Sequence, residues 1–274
     1  MSHRLTGILL VAPALAIVLL LFIVPLFGAI IGAFSVSGEW GTGNFTKAFE
    51  LYSSDIIFTF IIVALSSLLI ALLSITIGGY LTLGSNPRAV TVLRWLYRWP
   101  LFIPFIVVGQ ILRTFLAKNG LMNSLFIESG MLTPLQAMSF LDWRGIVIAF
   151  VWKQTPFVTL LLAGAMASID RSTIESARNL GAGRLRILIE IVLPQVRQTL
   201  LVGLILSFVT MMSVLSVPLM INAQSPTMIT ANIAFRINAY GDYGVANALG
   251  TISLLMTSFV AWVYLRQTMK EQGQ

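Results

Sequence analysis

Four stretches of the chain carry no charged side chain at all: residues 5–38, 56–87, 198–235 and 243–265. Each is longer than the roughly 20 residues that carry a helix across about 30 Å of hydrocarbon. Two further apolar stretches are each interrupted by one cation, Arg113 and Lys153. Six spans are therefore expected, near 8–34, 57–82, 99–117, 145–167, 198–221 and 244–265, in an all-α integral membrane protein. Only 10% of the residues are charged, against about 25% in an average soluble domain. The first span is too long for the 7–15-residue core of a secretory signal, so it reads as a retained helix. Residues 1–274 are expected to form one transmembrane domain.

The same residue counts remove most enzyme chemistry. There is no cysteine and a single histidine, His3, so no thiolate or paired-histidine metal site and no buried Ser/His/Asp triad can be built. No glycine-rich phosphate-binding loop ends in one of the four lysines, so nothing here cradles a nucleotide phosphate. No metal, cofactor or catalytic residue is expected.

Net charge is +7, and its distribution along the chain follows topology rather than a nucleic-acid surface. Arg4, Arg88, Arg94, Arg98, Arg171, Arg178, Arg184, Arg186, Arg197, Arg266 and Lys270 fall in alternate connecting segments; Lys47, Lys118, Arg144 and Arg236 fall in the others. Because cytoplasmic loops retain Lys and Arg, both termini are expected in the cytoplasm. Arg88, Arg94 and Arg98 are suited to anionic lipid heads, and Trp95, Trp99 and Trp143 to the membrane boundary.

One cytoplasmic connection, 168–197, is patterned for structure. Ser172-Thr-Ile-Glu175 reads as a capping box opening a helix. Ile174, Ala177 and Gly181 form a narrow face of small and apolar groups before Gly-Ala-Gly at 181–183 turns the chain. In a second helix Leu185, Leu188, Ile189 and Val192 share a face, and Pro194 marks the entry to the fifth span. An amphipathic pair of this kind could simply lie on headgroups.

The spacing of residue types adds a resemblance. Glu175-Ser-Ala-Arg-Asn-Leu-Gly181, nine residues and then Ile191-Val-Leu193-Pro194 resembles, without insertion, the cytoplasmic-loop signature of permease subunits of binding-protein-dependent ABC importers. Ser176 is its one departure, small for small. Trp152-Lys-Gln-Thr-Pro156-Phe157 and Ala167-Ser-Ile-Asp170 resemble the family's approach to that loop. The likeness covers about 56–265 and implies a five-helix core with an added first helix. It also implies two ATPase subunits that bind the ATP, a second permease subunit, an extracytoplasmic binding protein and a bacterial or archaeal inner membrane.

On that resemblance the first short helix is a coupling helix. Glu175, Ser176, Ala177, Leu180, Gly181, Ala182, Ile191, Leu193 and Pro194 are its expected ATPase-coupling residues, a small face at Ala177 and Gly181 letting the backbone seat closely. Glu175 has a second reading as a helix cap, Gly181 as a helix C-terminus and Pro194 as a helix start. A cation inside a membrane must pair, face protein or water, or snorkel. Arg113, near an outer end, reads as snorkelling or pathway-lining. Lys153, deeper, reads as pathway-lining or as bonded to backbone carbonyls. Asn222, Gln224 and Ser225 read as a turn or an outer gate. The late stretch Ser216–Ala248 looks most like the branch moving phosphonates, polyamines or ferric iron. The rival class is a stand-alone secondary transporter or channel, against which stands the lack of an acid at membrane depth.

Overall fold

The structure, a computed structural model, describes residues 3–36, 38–222 and 224–272. In chain order these form α1 (His3–Val18), a π-turn, α2 (Val24–Ala33), a two-residue hairpin β1 (Ser35–Val36) and β2 (Glu39–Trp40), then α3 (Gly43–Leu83) and α4 (Pro87–Leu96). After a 3-10 turn come α5 (Phe105–Leu116), α6 (Leu121–Glu128), α7 (Trp143–Ala167), α8 (Arg171–Asn179) and α9 (Arg184–Ile187). A second π-turn leads into α10 (Leu193–Ser213), followed by α11 (Ser216–Ile221), α12 (Ile229–Tyr240) and α13 (Tyr243–Gln272). Among the described residues five helices are long and apolar enough to cross a membrane, or six if the bent 87–128 pair counts as one span. The all-α membrane architecture expected from the charge-free runs is therefore observed.

Both π-turns have the same cause. Proline lacks an N–H and its ring clashes with the carbonyl four residues earlier. Pro25 and Pro194 each follow a π-turn, Leu19–Ile23 and Leu188–Val192. The bonds Val24 N–H to Leu19 O and Leu193 N–H to Leu188 O close the wider turn ahead of each ring.

The backbone forms two compact units. One comprises residues up to Ser54 together with Asn232–Met256. In it the Asn44 amide donates to the carbonyls of Ala33 (3.1 Å), which the end of α2 leaves free, and of Ser35 (2.8 Å) in β1. Asp242 accepts from Lys47 at 2.9 Å and from Arg236 at 3.4 Å, and the Arg236 guanidinium lies about equally over the Tyr52 and Tyr240 rings. Burial pushes the Asp242 carboxyl up, but hydrogen bonds from Lys47 and the Val245 N–H, with the charges of Lys47 and Arg236, outweigh it and hold it below its ordinary value.

The other unit comprises Asp55–Ala231 and the chain from Thr257 onward. Its core is α7, whose Ile146, Ala149, Phe150, Val158 and Leu162 are fully buried; α10 packs along it and α11 packs on α5. The α5–α11 approach needs Gly109, since a Cβ there would stand 3.0 Å from Met220 Cβ.

Two expected spans are drawn differently. The span placed at 99–117 is instead part of a longer pair of segments, 87–102 and 105–128, bent by 106°. Pro104 removes a donor and forces Ile103 into extended backbone (φ −95°, ψ 121°), which ends the turn before it. The span placed at 198–221 begins at Arg184 and stops at Ser213. Val214 is extended (ψ 120°), and the residues beyond it turn into α11, a separate short helix.

Candidate functional site

The 168–197 connection begins with a correction. Asp170, not Ser172, is the cap of α8: its carboxylate accepts the Ser172 N–H at 2.9 Å and the Ser172 hydroxyl at 2.7 Å. These two bonds hold the Asp170 carboxyl below its ordinary value. Glu175 makes no hydrogen bond with any described residue and points out, so the capping-box reading of Ser172 and Glu175 falls. An aspartate two residues earlier reaches the first free N–H groups sooner.

The C-terminus of α8 is a full Schellman turn. Gly181 N–H donates to Arg178 O at 2.9 Å and Ala182 N–H to Ala177 O at 3.0 Å, with Gly181 at φ +84°. That backbone disfavours every side chain but glycine and, less strongly, asparagine, so the C-terminal reading of Gly181 is correct. No atom lies within 4 Å of where its Cβ would be.

The small face expected to seat against a partner is divided. Ile174 and Ala177 are buried inside this chain, so Ala177 lets α8 pack closely on its own protein. Glu175, Ser176 and Gly181 are exposed, Ala182 is half-buried, and Leu180 is 89% exposed.

The second helix is also corrected. It does not stop before the fifth span; α9, the π-turn and α10 are continuous from Arg184. Ile187 and Val192 are buried, Leu188 is half-buried, and Leu185 and Ile189 face outward, so the expected four-residue face is split. The extra residue of the π-turn resets the helical phase inside the pattern. Ile191 and Leu193 are half-buried and Pro194 is exposed. Gln195 Nε2 donates to Ile191 O at 2.9 Å, and Arg186 pairs with Glu190 at 2.8 Å.

Lys153 lies where the bent span breaks. Its ammonium donates to Pro100 O at 2.7 Å and Leu101 O at 3.0 Å, and stands 5.5 Å from the centre of the Phe105 ring. A broken helix leaves carbonyls short of donors, which is costly in lipid; Lys153 supplies one to Leu101 O and a second to Pro100 O, which also accepts the Ile103 N–H at 3.3 Å. Arg113 is exposed in the last turn of α5 and pairs with no described residue.

Two residues that sequence reading missed as functional anchors are Asp55 and Thr59. Asp55 is 2% exposed and accepts the Thr227 N–H at 2.6 Å and, more loosely, the Ser225 hydroxyl at 3.4 Å. Thr59 Oγ1 accepts the Ile229 N–H at 2.9 Å. Ser225 therefore belongs to a segment tied to α3, and Asn222 holds it from the other side through Nδ2 to Pro226 O at 3.2 Å. The available signal was an acid at the edge of a charge-free run. Gln154, Thr155 and Thr159 on α7, with Ser66 on α3 and Ser207 on α10, are buried with polar atoms that have no partner among the described residues.

Residues 74–269 match the family described as the binding-protein-dependent transport system inner membrane component. The chain is 25% identical over 97% of its length, and 91% of the relative's, to the sulfoquinovosyl glycerol transport system permease SmoG of Agrobacterium fabrum. It is 27% identical over 95% of its length, and 92% of the relative's, to the trehalose/maltose transport system permease MalF of Thermococcus litoralis. Its fold resembles a chain of a bacterial alginate ABC transporter solved with an alginate pentasaccharide-bound periplasmic protein. The TM-score is 0.79 at 21% identity, covering 95% of this chain and 92% of that one. These likenesses set aside the stand-alone transporter or channel and leave ATP hydrolysis to other subunits. The chain belongs to the binding-protein-dependent family of inner-membrane transport components and is a permease subunit of the ABC importer type.

Proposed function

We propose that this subunit forms part of the pathway for a sugar or glycoside, delivered by an extracytoplasmic binding protein and driven by two separate ATPase subunits beside a second permease subunit. The relatives' systems, one for sulfoquinovosyl glycerol and one for trehalose/maltose, support a carbohydrate class. They argue against the phosphonate or polyamine solute expected from the late stretch of sequence. Both termini are cytoplasmic in this reading, which puts α8 on the side where ATP is hydrolysed.

The observation that carries the coupling role is the exposed tip of α8. A leucine 89% exposed beside a left-handed glycine with open space around it leaves an apolar side chain and bare backbone free to meet a partner. Leu180, Gly181, Ser176 and Glu175 would meet the ATPase, while Ala177 anchors the helix from behind. Ala182 would pass the displacement through the turn after α8, and Ile191, Leu193 and Pro194 into α10, because the helix is continuous through those three. Lys153 and Arg113 carry the weaker pathway assignment, and Lys153 acts first as the strut of the bend.

The test is reconstitution. The complex purified through a tag on this chain should contain an ATPase and, in vesicles with its binding protein, take up a sugar or glycoside only when ATP is supplied. Uptake driven by an ion gradient without ATP would overturn the importer reading; ATP-driven uptake of a phosphonate or polyamine in preference to sugars would overturn the substrate class.

A further inference from the structure

A cavity of about 630 Å³ opens among the ends of α3, α4, α7 and α8. Arg94, Arg98, Arg171 and Arg178 line it, with Tyr97 and a single carboxylate, Glu175. None of these arginines forms an ion pair with a described residue, Glu175 included; Arg98 alone is held, its Nε donating to the Tyr97 hydroxyl at 3.2 Å. Four like charges around a void repel one another unless an anion joins them. Guanidinium groups suit a phosphate oxygen pair better than any other anion-binding side chain.

A second observation says where that anion comes from. Trp95 and Trp99 stand edge to face at 4.8 Å between ring centres, both exposed, and Phe102 beyond them is 84% exposed. Exposed tryptophans at the end of an apolar span mark the headgroup level of a bilayer. Arginines into a cavity and aromatics onto lipid, on one short stretch of chain, match a molecule with a phosphate head and an apolar tail.

We propose that this cavity binds the phosphate headgroup of an anionic phospholipid, Arg94 and Arg98 holding it from the α4 side and Arg171 and Arg178 from α8. The site stands on the membrane placement of the spans, shares Glu175 with the face proposed to meet the ATPase, and is independent of the transported solute.

The assembled transporter, purified in detergent and offered equal amounts of phosphatidylglycerol and phosphatidylcholine, is examined by native mass spectrometry. The wild type should retain phosphatidylglycerol selectively, and the double variant Arg94→Gln/Arg178→Gln should retain it about thirty-fold less well, while Lys118→Gln retains it as the wild type does. Equal retention of both lipids by the wild type, or of phosphatidylglycerol by the double variant, would overturn the proposal. So would complete displacement by millimolar inorganic phosphate, which would make the site one for a free anion. Should the double variant fail to assemble, a photoreactive phosphatidylglycerol on the wild type decides: adducts on peptides of α4 or α8 support the site, and their absence overturns it. Copurification of the ATPase is scored separately, so loss of the importer reading is not confused with loss of the lipid site.

Discussion

Asp55 on α3 accepts the backbone N–H of Thr227 at 2.6 Å, joining residues 172 positions apart in sequence. Four residues on, Thr59 takes the Ile229 N–H, so consecutive turns of one helix hold the segment that leads into α12. Both acceptors are buried, and removing a buried acceptor leaves its N–H unsatisfied at about 1–3 kcal/mol. Asp55→Ala should lower the unfolding temperature of the purified complex by several degrees and Thr59→Val by less. An unchanged unfolding temperature for Asp55→Ala would mean the segment is held by something else.

The Lys153 ammonium bridges the carbonyls of Pro100 and Leu101 at the break of the bent span. Lys153→Met leaves Leu101 O without the ammonium and Pro100 O with the Ile103 N–H alone, and should destabilise the complex by about 1–3 kcal/mol. Lys153→Arg, which keeps donors, should recover part of that loss. If Lys153→Met instead changes the rate of solute uptake while stability is untouched, the side chain serves the pathway rather than the bend.

The chain has no cysteine, so single cysteines in α8 report its faces directly. Ala177→Cys should react slowly with a membrane-impermeant maleimide, since that position is buried. Ser176→Cys and Leu180→Cys should react readily in the permease alone and be protected once the ATPase is bound. Rapid labelling of Leu180→Cys in the full assembly would remove the tip of α8 from the interface.

The six apolar runs were legible because charges are too costly in lipid to be scattered, and the Glu175–Pro194 spacing was legible because it spans two elements at fixed gaps. Orientation on α8 was not. The same triplet Ile174, Ala177, Gly181 satisfies an inward or an outward face, and only the packing of Ala177 against its own chain decides. The course of the chain at its prolines was only partly legible: Pro13 and Pro25 read alike as kinks or breaks of the first span, and Pro100, Pro104, Pro156 and Pro194 also lie in apolar stretches, yet the helix breaks at Pro104, widens at Pro25 and Pro194 and continues through Pro13 and Pro156. At the 106° bend Lys153 reaches the Pro100 and Leu101 carbonyls from α7, a contact that only the fold makes. Asn86, whose side chain accepts from the Arg88 and Ala89 N–H groups at the start of α4, was by contrast a readable cap followed by Pro87.

Asp242 supplies a pH dependence whose sign follows from its depressed carboxyl. A group that holds its proton less tightly when folded stabilises fully above its unfolded value, near 3.8, and loses that contribution as pH falls through the lower folded value. The unfolding temperature should therefore be insensitive to this group from about pH 7 to about pH 4 and decline below. Asp242→Asn should be less stable than wild type at neutral pH and show a shallower acid decline. An identical decline in both would assign the acid sensitivity to other carboxyls, among them Asp170.

Gly181 separates strain from docking. At φ +84° an ordinary side chain costs about 1–2 kcal/mol, and asparagine costs less, but the open space around the position means that size adds no clash within the chain. Gly181→Asn should therefore assemble and couple nearly as the wild type does. Gly181→Leu and Gly181→Trp bear similar backbone strain, so any difference between them reports bulk against a partner. If the tip of α8 seats in a groove of the ATPase, Gly181→Trp should insert in the membrane normally yet cut ATP-driven uptake about tenfold or more below Gly181→Leu, a loss of about 1.4 kcal/mol or more in coupling. Equal uptake by the two in equally assembled complexes would show that nothing closes over Gly181, and the docking surface would then have to be sought on the exposed flank at Leu185 and Ile189.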